Sequence, residues 1–158
     1  MVMKRTVKTQ NQAPKFHVVA KCLLGSDERI AAWGTTTFEN DDASDWLYDL
    51  EESKGFSILE DALELEDGYL EASNACYALS AAEIVLALIG RARDGIPETA
   101  VQWASVYQGT DVSALHEMAI SAVDRVLSEE SELLELWKDT DDFQLWKSDV
   151  EEIAALLK

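Results

Sequence analysis

Three carboxylates stand out by the company they keep. Glu83 sits in Ala81-Ala82-Glu83-Ile84-Val85, Asp124 lies between Val123 and Val126, and Glu39 directly precedes a helix start. An ionised carboxylate taken out of water is costly unless it is paired, so Glu83 needs a cation, a donor or the surface, or else it keeps its proton. Arg125, Arg91 and a tryptophan N–H are the candidate partners. Two readings follow. In the first, Glu83 makes a structural hydrogen bond between helices. In the second, Trp33, Glu39, Asp45 and Glu83, with Phe38 and Trp46 beside them, surround one pocket that takes a small ligand or a metal, as an enzyme would. Neither reading assigns a catalytic residue.

Other chemistries lack their residues. His17 and His116 are the only histidines, and there is no H-E-x-x-H or C-x-x-C spacing, so a zinc site is not expected. Phosphate-cradling glycine loops and the G-x-S-x-G elbow are missing from the sequence. A di-metal carboxylate bundle would add Glu-x-x-His pairs, whereas Glu117 follows His116 directly. Asp139-Thr140-Asp141-Asp142 has calcium-like spacing without the later Gly and Glu, and reads better as a helix cap. No cofactor is expected. Cys22 and Cys76 are far apart, and Cys76 lies in an apolar run, which favours a buried thiol over a disulfide.

The elements that must position these groups read as helices. Ala72 to Gly90, ASNACYALSAAEIVLALIG, is apolar nearly all round with one charge, as suits a helix at the centre of a bundle. Its polar residues and many alanines argue against a membrane span, and small side chains let neighbouring helices approach closely. Before it, Asn40 or Asp41 caps a helix with Ala43, Trp46, Leu47 and Leu50 on its apolar stripe. Ser57-Ile58-Leu59-Glu60 has the form of a capping box for a second helix running to about Leu65. Pro97 suits a first helical position, with Ala100, Trp103, Ala104 and Tyr107 following at helical spacing up to Gly109. Asp111 or Ser113 opens a fifth helix, Ser131 to Trp137 forms a short one, and Phe143, Trp146, Val150, Ile153 and Leu157 make a two-heptad seam that docks on its own bundle. The expected fold is an all-α, single-domain orthogonal or irregular bundle of six to seven helices around the central apolar helix.

Charge divides the 158-residue chain in two. Residues 1–31 carry six bases against two acids, a net of +4, while the remainder carries seven bases against 29 acids, a net of −22. The first part reads as a basic mobile leader, with one short strand over Lys15 to Leu24, and residues 32–158 as an acidic helical domain. An acidic body repels nucleic acid and anionic lipid, so neither is an expected direct partner; a basic protein is. The same acidity would also serve solubility alone. No secretory signal is expected, because the apolar run between Lys15 and Lys21 is too short.

The run Trp33-Gly34-Thr35-Thr36-Thr37-Phe38-Glu39-Asn40-Asp41-Asp42-Ala43-Ser44-Asp45-Trp46 resembles the opening of a family of small bacterial proteins known only as a domain of unknown function. The likeness extends through the alanine-rich helix and Ser131-Glu132-Leu133-Leu134-Glu135-Leu136-Trp137. Members start near the W-G pair, so the leader departs from the pattern. The resemblance implies a bacterial, cytoplasmic protein and no activity. The functional expectation is a non-enzymatic protein-interaction module, inhibitor- or immunity-like, that binds a basic partner. The sequence does not fix its oligomeric state.

Overall fold

The computed structural model describes Ala32 and residues 34–158. The basic leader with its strand, His17, Cys22 and Trp33 lie outside the described residues. Seven helices form among the described residues: α1 Asp41–Glu52, α2 Ser57–Leu63, α3 Ala72–Leu88, α4 Glu98–Val106, α5 Ser113–Val126, α6 Glu132–Lys138 and α7 Phe143–Leu157. The architecture is an all-α bundle, with two isolated backbone bridges among the described residues, Ala32 with Asn40 and Leu70 with Ser131.

Helix α3 is the axis. Fourteen of its 17 residues are buried, which requires neighbours on every side, and it touches each of the other six helices, α5 most extensively. Alanines at 75, 78, 81 and 82 lie fully buried, where their small side chains leave room for that crowding. The surrounding helices each offer one stripe: Ala43, Trp46 and Leu50 from α1, Ala119, Val123 and Val126 from α5, and Trp146, Val150, Ile153 and Leu157 from α7. Fully burying a residue such as Ile153 or Leu157 contributes roughly 1.5–3 kcal/mol, so the α7 seam is spent on this bundle rather than left for a partner.

Helix ends follow local chemistry, with some departures from expectation. Asn40 caps α1, its Oδ1 accepting from the Ala43 N–H at 2.8 Å. Ser57 does not cap α2, because Phe56 is already near-helical (φ −103°, ψ 0°) and places Ser57 inside the first turn, with no side-chain cap bond. That entry is set by Gly55, at φ +77°, whose N–H donates to the Tyr107 hydroxyl at 2.8 Å. α2 also stops at Leu63, short of Leu65. Pro97 is the N-cap of α4 rather than its first helical residue, and Asp142 takes the N-cap position of α7 without a side-chain bond. Asp111 precedes α5, and its Oδ1 accepts from the Ser113 N–H at 3.0 Å and hydroxyl at 2.7 Å; these bonds hold its carboxyl below the usual carboxylate range.

The start of α3 is capped from another helix. Glu132, buried at the start of α6, accepts the Ala72 N–H at 2.8 Å, and Leu70 bonds through both backbone groups to Glu130 and Glu132. An anionic oxygen there also faces the positive end of the α3 dipole.

A buried charge cluster and an open acidic groove

Glu83 is 3% exposed, and Arg93 meets it. The route runs through the end of α3: Gly90, at φ +79°, allows the Arg91 N–H to bond back to Leu86 O at 2.8 Å and the Gly90 N–H to Ala87 O at 3.2 Å. That pair of bonds reverses the chain in a glycine-terminated helix end. The reversal turns Arg93 back along α3. Its Nε lies 3.2 Å from both Glu83 oxygens, and its Nη2 bonds Glu83 Oε1. The other side of the guanidinium faces α7, where Nη1 reaches Asp149 Oδ1 at 2.9 Å and Glu152 Oε2 at 2.8 Å, and Nη2 reaches Asp149 Oδ2 at 3.2 Å. Thr37 completes the arrangement from the 34–40 loop, donating its hydroxyl to Glu83 Oε1 at 3.0 Å. Burial pulls the Arg93 pKa down, but its hydrogen bonds and charge contacts with Glu83 and Asp149 outweigh that and raise it. The group is locked as a cation.

The expected partners of Glu83 are therefore corrected. Arg91 bonds Leu156 O at 2.7 Å, and Arg125 bonds the carbonyls of Glu66 and Gly68 at 3.0 and 2.8 Å. Asp124 is exposed and lies 4.0 Å from Lys158. Arg93, Asp149, Glu152 and Thr37 were missed by sequence reasoning. The i, i+3 pair Asp149 and Glu152 on the polar side of the α7 seam was a usable signal; the turn that delivers Arg93 instead of Arg91 was not.

The other candidate residues are placed separately. Glu39 folds back over Gly34 and accepts from Thr36 through its N–H (3.2 Å) and hydroxyl (2.8 Å). A Cβ at position 34 would come within 2.0 Å of Glu39 Oε2, so the glycine makes room for this carboxylate. Trp46 is buried, Phe38 half-buried, and Asp45 exposed on α1. The structure thus joins the 34–40 loop to Glu83 through Thr37, and does not gather Glu39, Asp45 and Glu83 around one cavity. Beneath the loop lies a space of about 20 Å³, lined in part by Gly34, Thr37, Cys76 and Trp146 and large enough for roughly one water. Burial, then the charge of Asp42, raises the Cys76 thiol pKa and keeps it unreactive. Among the described residues no group of three His, Cys, Asp or Glu is placed to hold a metal ion.

The larger concavity, of about 360 Å³, is open and lies where α2 passes through residues 64–71 into α3. Asp61, Glu64, Glu66, Asp67 and Glu71 line it together with Tyr69 and Tyr77. Next to it, α1 presents Asp41, Asp42 and Asp45. Burial first, and then the charge of Asp45, hold the carboxyls of Asp41 and Asp42 above the usual range, while a hydrogen bond from Ser73 partly opposes this at Asp42. Tyr77, which lines the groove, is raised by burial and then by Asp42, with Asp45 and Asp49 of α1 adding to it.

Fold and geometry together define a helical bundle wrapped on one apolar helix, with buried Glu83 paired to Arg93 and buried Glu132 capping the start of that helix. Sequence comparison places it more narrowly: the chain belongs to the domain-of-unknown-function family DUF4259, whose model matches residues 31–149. Neither the comparison with curated proteins nor that with solved structures gives a match. No helix among the described residues is long and apolar enough to cross a membrane.

Proposed function

We propose that this protein is a non-enzymatic, cytoplasmic interaction module whose acidic surface binds a basic protein, in the manner of an inhibitor or immunity protein that covers a cationic cleft. The observation that carries the reading is a contrast between two sets of carboxylates. Glu83, which is buried, and Asp149, which is half-buried, are engaged by Arg93. The acids of the groove form no ion pair among the described residues, where the recorded pairs use Glu83, Asp124, Asp149, Glu129, Glu151 and Glu152. Unneutralised charge on a rigid body speeds association with a cationic partner and makes it sensitive to salt.

The test is retention of a panel of basic and acidic proteins on the immobilised full chain at about 50 mM and about 500 mM salt, either side of the range where screening becomes short-ranged. Selective retention of basic proteins at low salt, weakened at high salt, is expected. Indifference to the basic set at low salt overturns the reading.

A further inference from the structure

Residues 34–39 belong to a loop with its two ends tied together, because Ala32 pairs with Asn40 as an antiparallel bridge and Asn40 is also the cap of α1. Inside the loop the bonds are local. The Glu39 N–H donates to Thr36 O at 3.1 Å, the Glu39 carboxylate accepts from Thr36 twice, and Asn40 Nδ2 donates to Thr37 O at 3.0 Å. These bonds hold the loop's shape whether or not it touches the bundle. Its hold on the bundle is slighter. Thr37 is the one buried residue of 34–39, and among the described residues its hydroxyl makes the one hydrogen bond from this stretch to a distant part of the chain, to Glu83 at 3.0 Å.

The surface beneath is apolar. Cys76, Leu79, Leu133, Trp137 and Trp146 line the space of about 20 Å³ under the loop, and each is 3% exposed or less. Trp137 and Trp146 stack with ring centroids 5.9 Å apart, so α6 and α7 brace this wall from within the bundle. The tie above it can part without leaving a charge alone. When Thr37 withdraws, Glu83 keeps the Arg93 guanidinium, bonded through Nε and Nη2, and water takes the place of the lost hydroxyl contact. A segment that fully buries one residue, and that one polar, opens at far less cost than the domain unfolds.

We propose that residues 34–39 act as a strap that lifts off the bundle while the helices stay folded, with the Thr37–Glu83 bond as its latch, and that lifting opens the recess walled by Cys76, Leu79, Trp137 and Trp146 to solvent. The helical hydrogen bonds of α3 stay closed in this step. Access to this part of the interior is set by one threonine hydroxyl and is independent of the acidic surface.

The Cys76 thiol, unreactive while buried, is the reporter. The full chain carrying Cys22→Ser, which leaves one thiol, is treated with iodoacetamide in a series of urea concentrations below the unfolding transition, and modification is followed by mass spectrometry. Lifting of the strap exposes little surface, so the rate is expected to be nearly flat in urea and to exceed the rate set by global unfolding. Thr37→Val in the same background removes the latch at nearly constant shape and should raise the rate about tenfold or more, whereas Thr37→Ser, which keeps the hydroxyl, should fall well below that. Thr36→Val parts a bond that is the same with the strap up or down, and should change the rate at most about twofold. A parent rate that climbs with urea as steeply as unfolding itself overturns the strap, because Cys76 is then reached through the unfolded chain. A flat rate that responds equally to Thr37→Val and Thr36→Val, or to neither, places the opening elsewhere and overturns it as well. A rise in Thr37→Ser as large as in Thr37→Val overturns the hydroxyl as the latch.

Discussion

Arg93 is the residue on which the interior charge depends. Removing it leaves Glu83 buried with only the Thr37 hydroxyl and no cation, so Arg93→Met is expected to destabilise the fold by about 3–5 kcal/mol, the range for one partner lost from a buried pair. The double variant Glu83→Leu, Arg93→Met should recover much of that loss, because a pair replaced by apolar groups of similar size is often neutral. Urea denaturation of the two single variants and the double variant decides it; a double variant no better than Arg93→Met would contradict this account. Asp41 and Asp42 act in the opposite sense. Their folded-state carboxyls are raised above 3.8, so between that value and the raised one the folded protein keeps protons that the unfolded chain has released. Stability from these groups therefore falls as pH rises through that window and stays lower above it. An Asp41→Asn, Asp42→Asn variant should gain on the wild type in urea midpoint between acidic and neutral pH, and a constant difference across that range would refute the assignment. At this scale the sequence was half legible. The need of Glu83 for a partner could be read from its apolar neighbours, but the partner's identity hung on a glycine-terminated turn that sends one arginine inward and its neighbour two positions back to the end of α7.

Elements joined by side chains from elsewhere were the hardest to foresee. The apolar stripes of α1, α5 and α7 and the all-round burial of α3 follow from hydrophobic spacing, and the helices lie where that spacing puts them. Caps were less legible. Asn40 caps α1 as local rules dictate, yet Ser57 is displaced from its capping position by the Gly55–Tyr107 contact, a tie between α4 and the segment before α2. The cap of α3 comes from Glu132, 60 positions along the chain, and no local pattern could announce it. Glu132→Ala should remove this long-range cap and cost about 1–3 kcal/mol, the range for a buried donor left unsatisfied, whereas Asn40→Ala should cost about 1 kcal/mol as an ordinary local cap. Thermal unfolding of the two variants tests the order; an Asn40 variant more damaged than the Glu132 variant would reverse it. Gly34→Ala is a milder case. The clash is with the mobile end of Glu39, so it should detach that carboxylate from Thr36 with little loss of stability.

Across the molecule, acidity and burial are kept apart. The interior holds Glu83 against Arg93 and Glu132 against the start of α3, and the exterior carries a net negative field that repels itself. Salt at a few tenths molar should therefore raise the unfolding temperature of the full chain while weakening the proposed hold on a basic partner. Helix α3 carries a further implication, for time rather than for energy. It is in contact with every other helix, so no smaller piece of the bundle can open and leave it covered. The backbone amides of Ala78 to Leu88 should exchange with deuterium only when the whole domain comes apart, at a rate that reports its global stability, while α2 and the exposed ends of α4 exchange sooner. Patches of early exchange within that span would mean that the bundle opens around its axis before it unfolds.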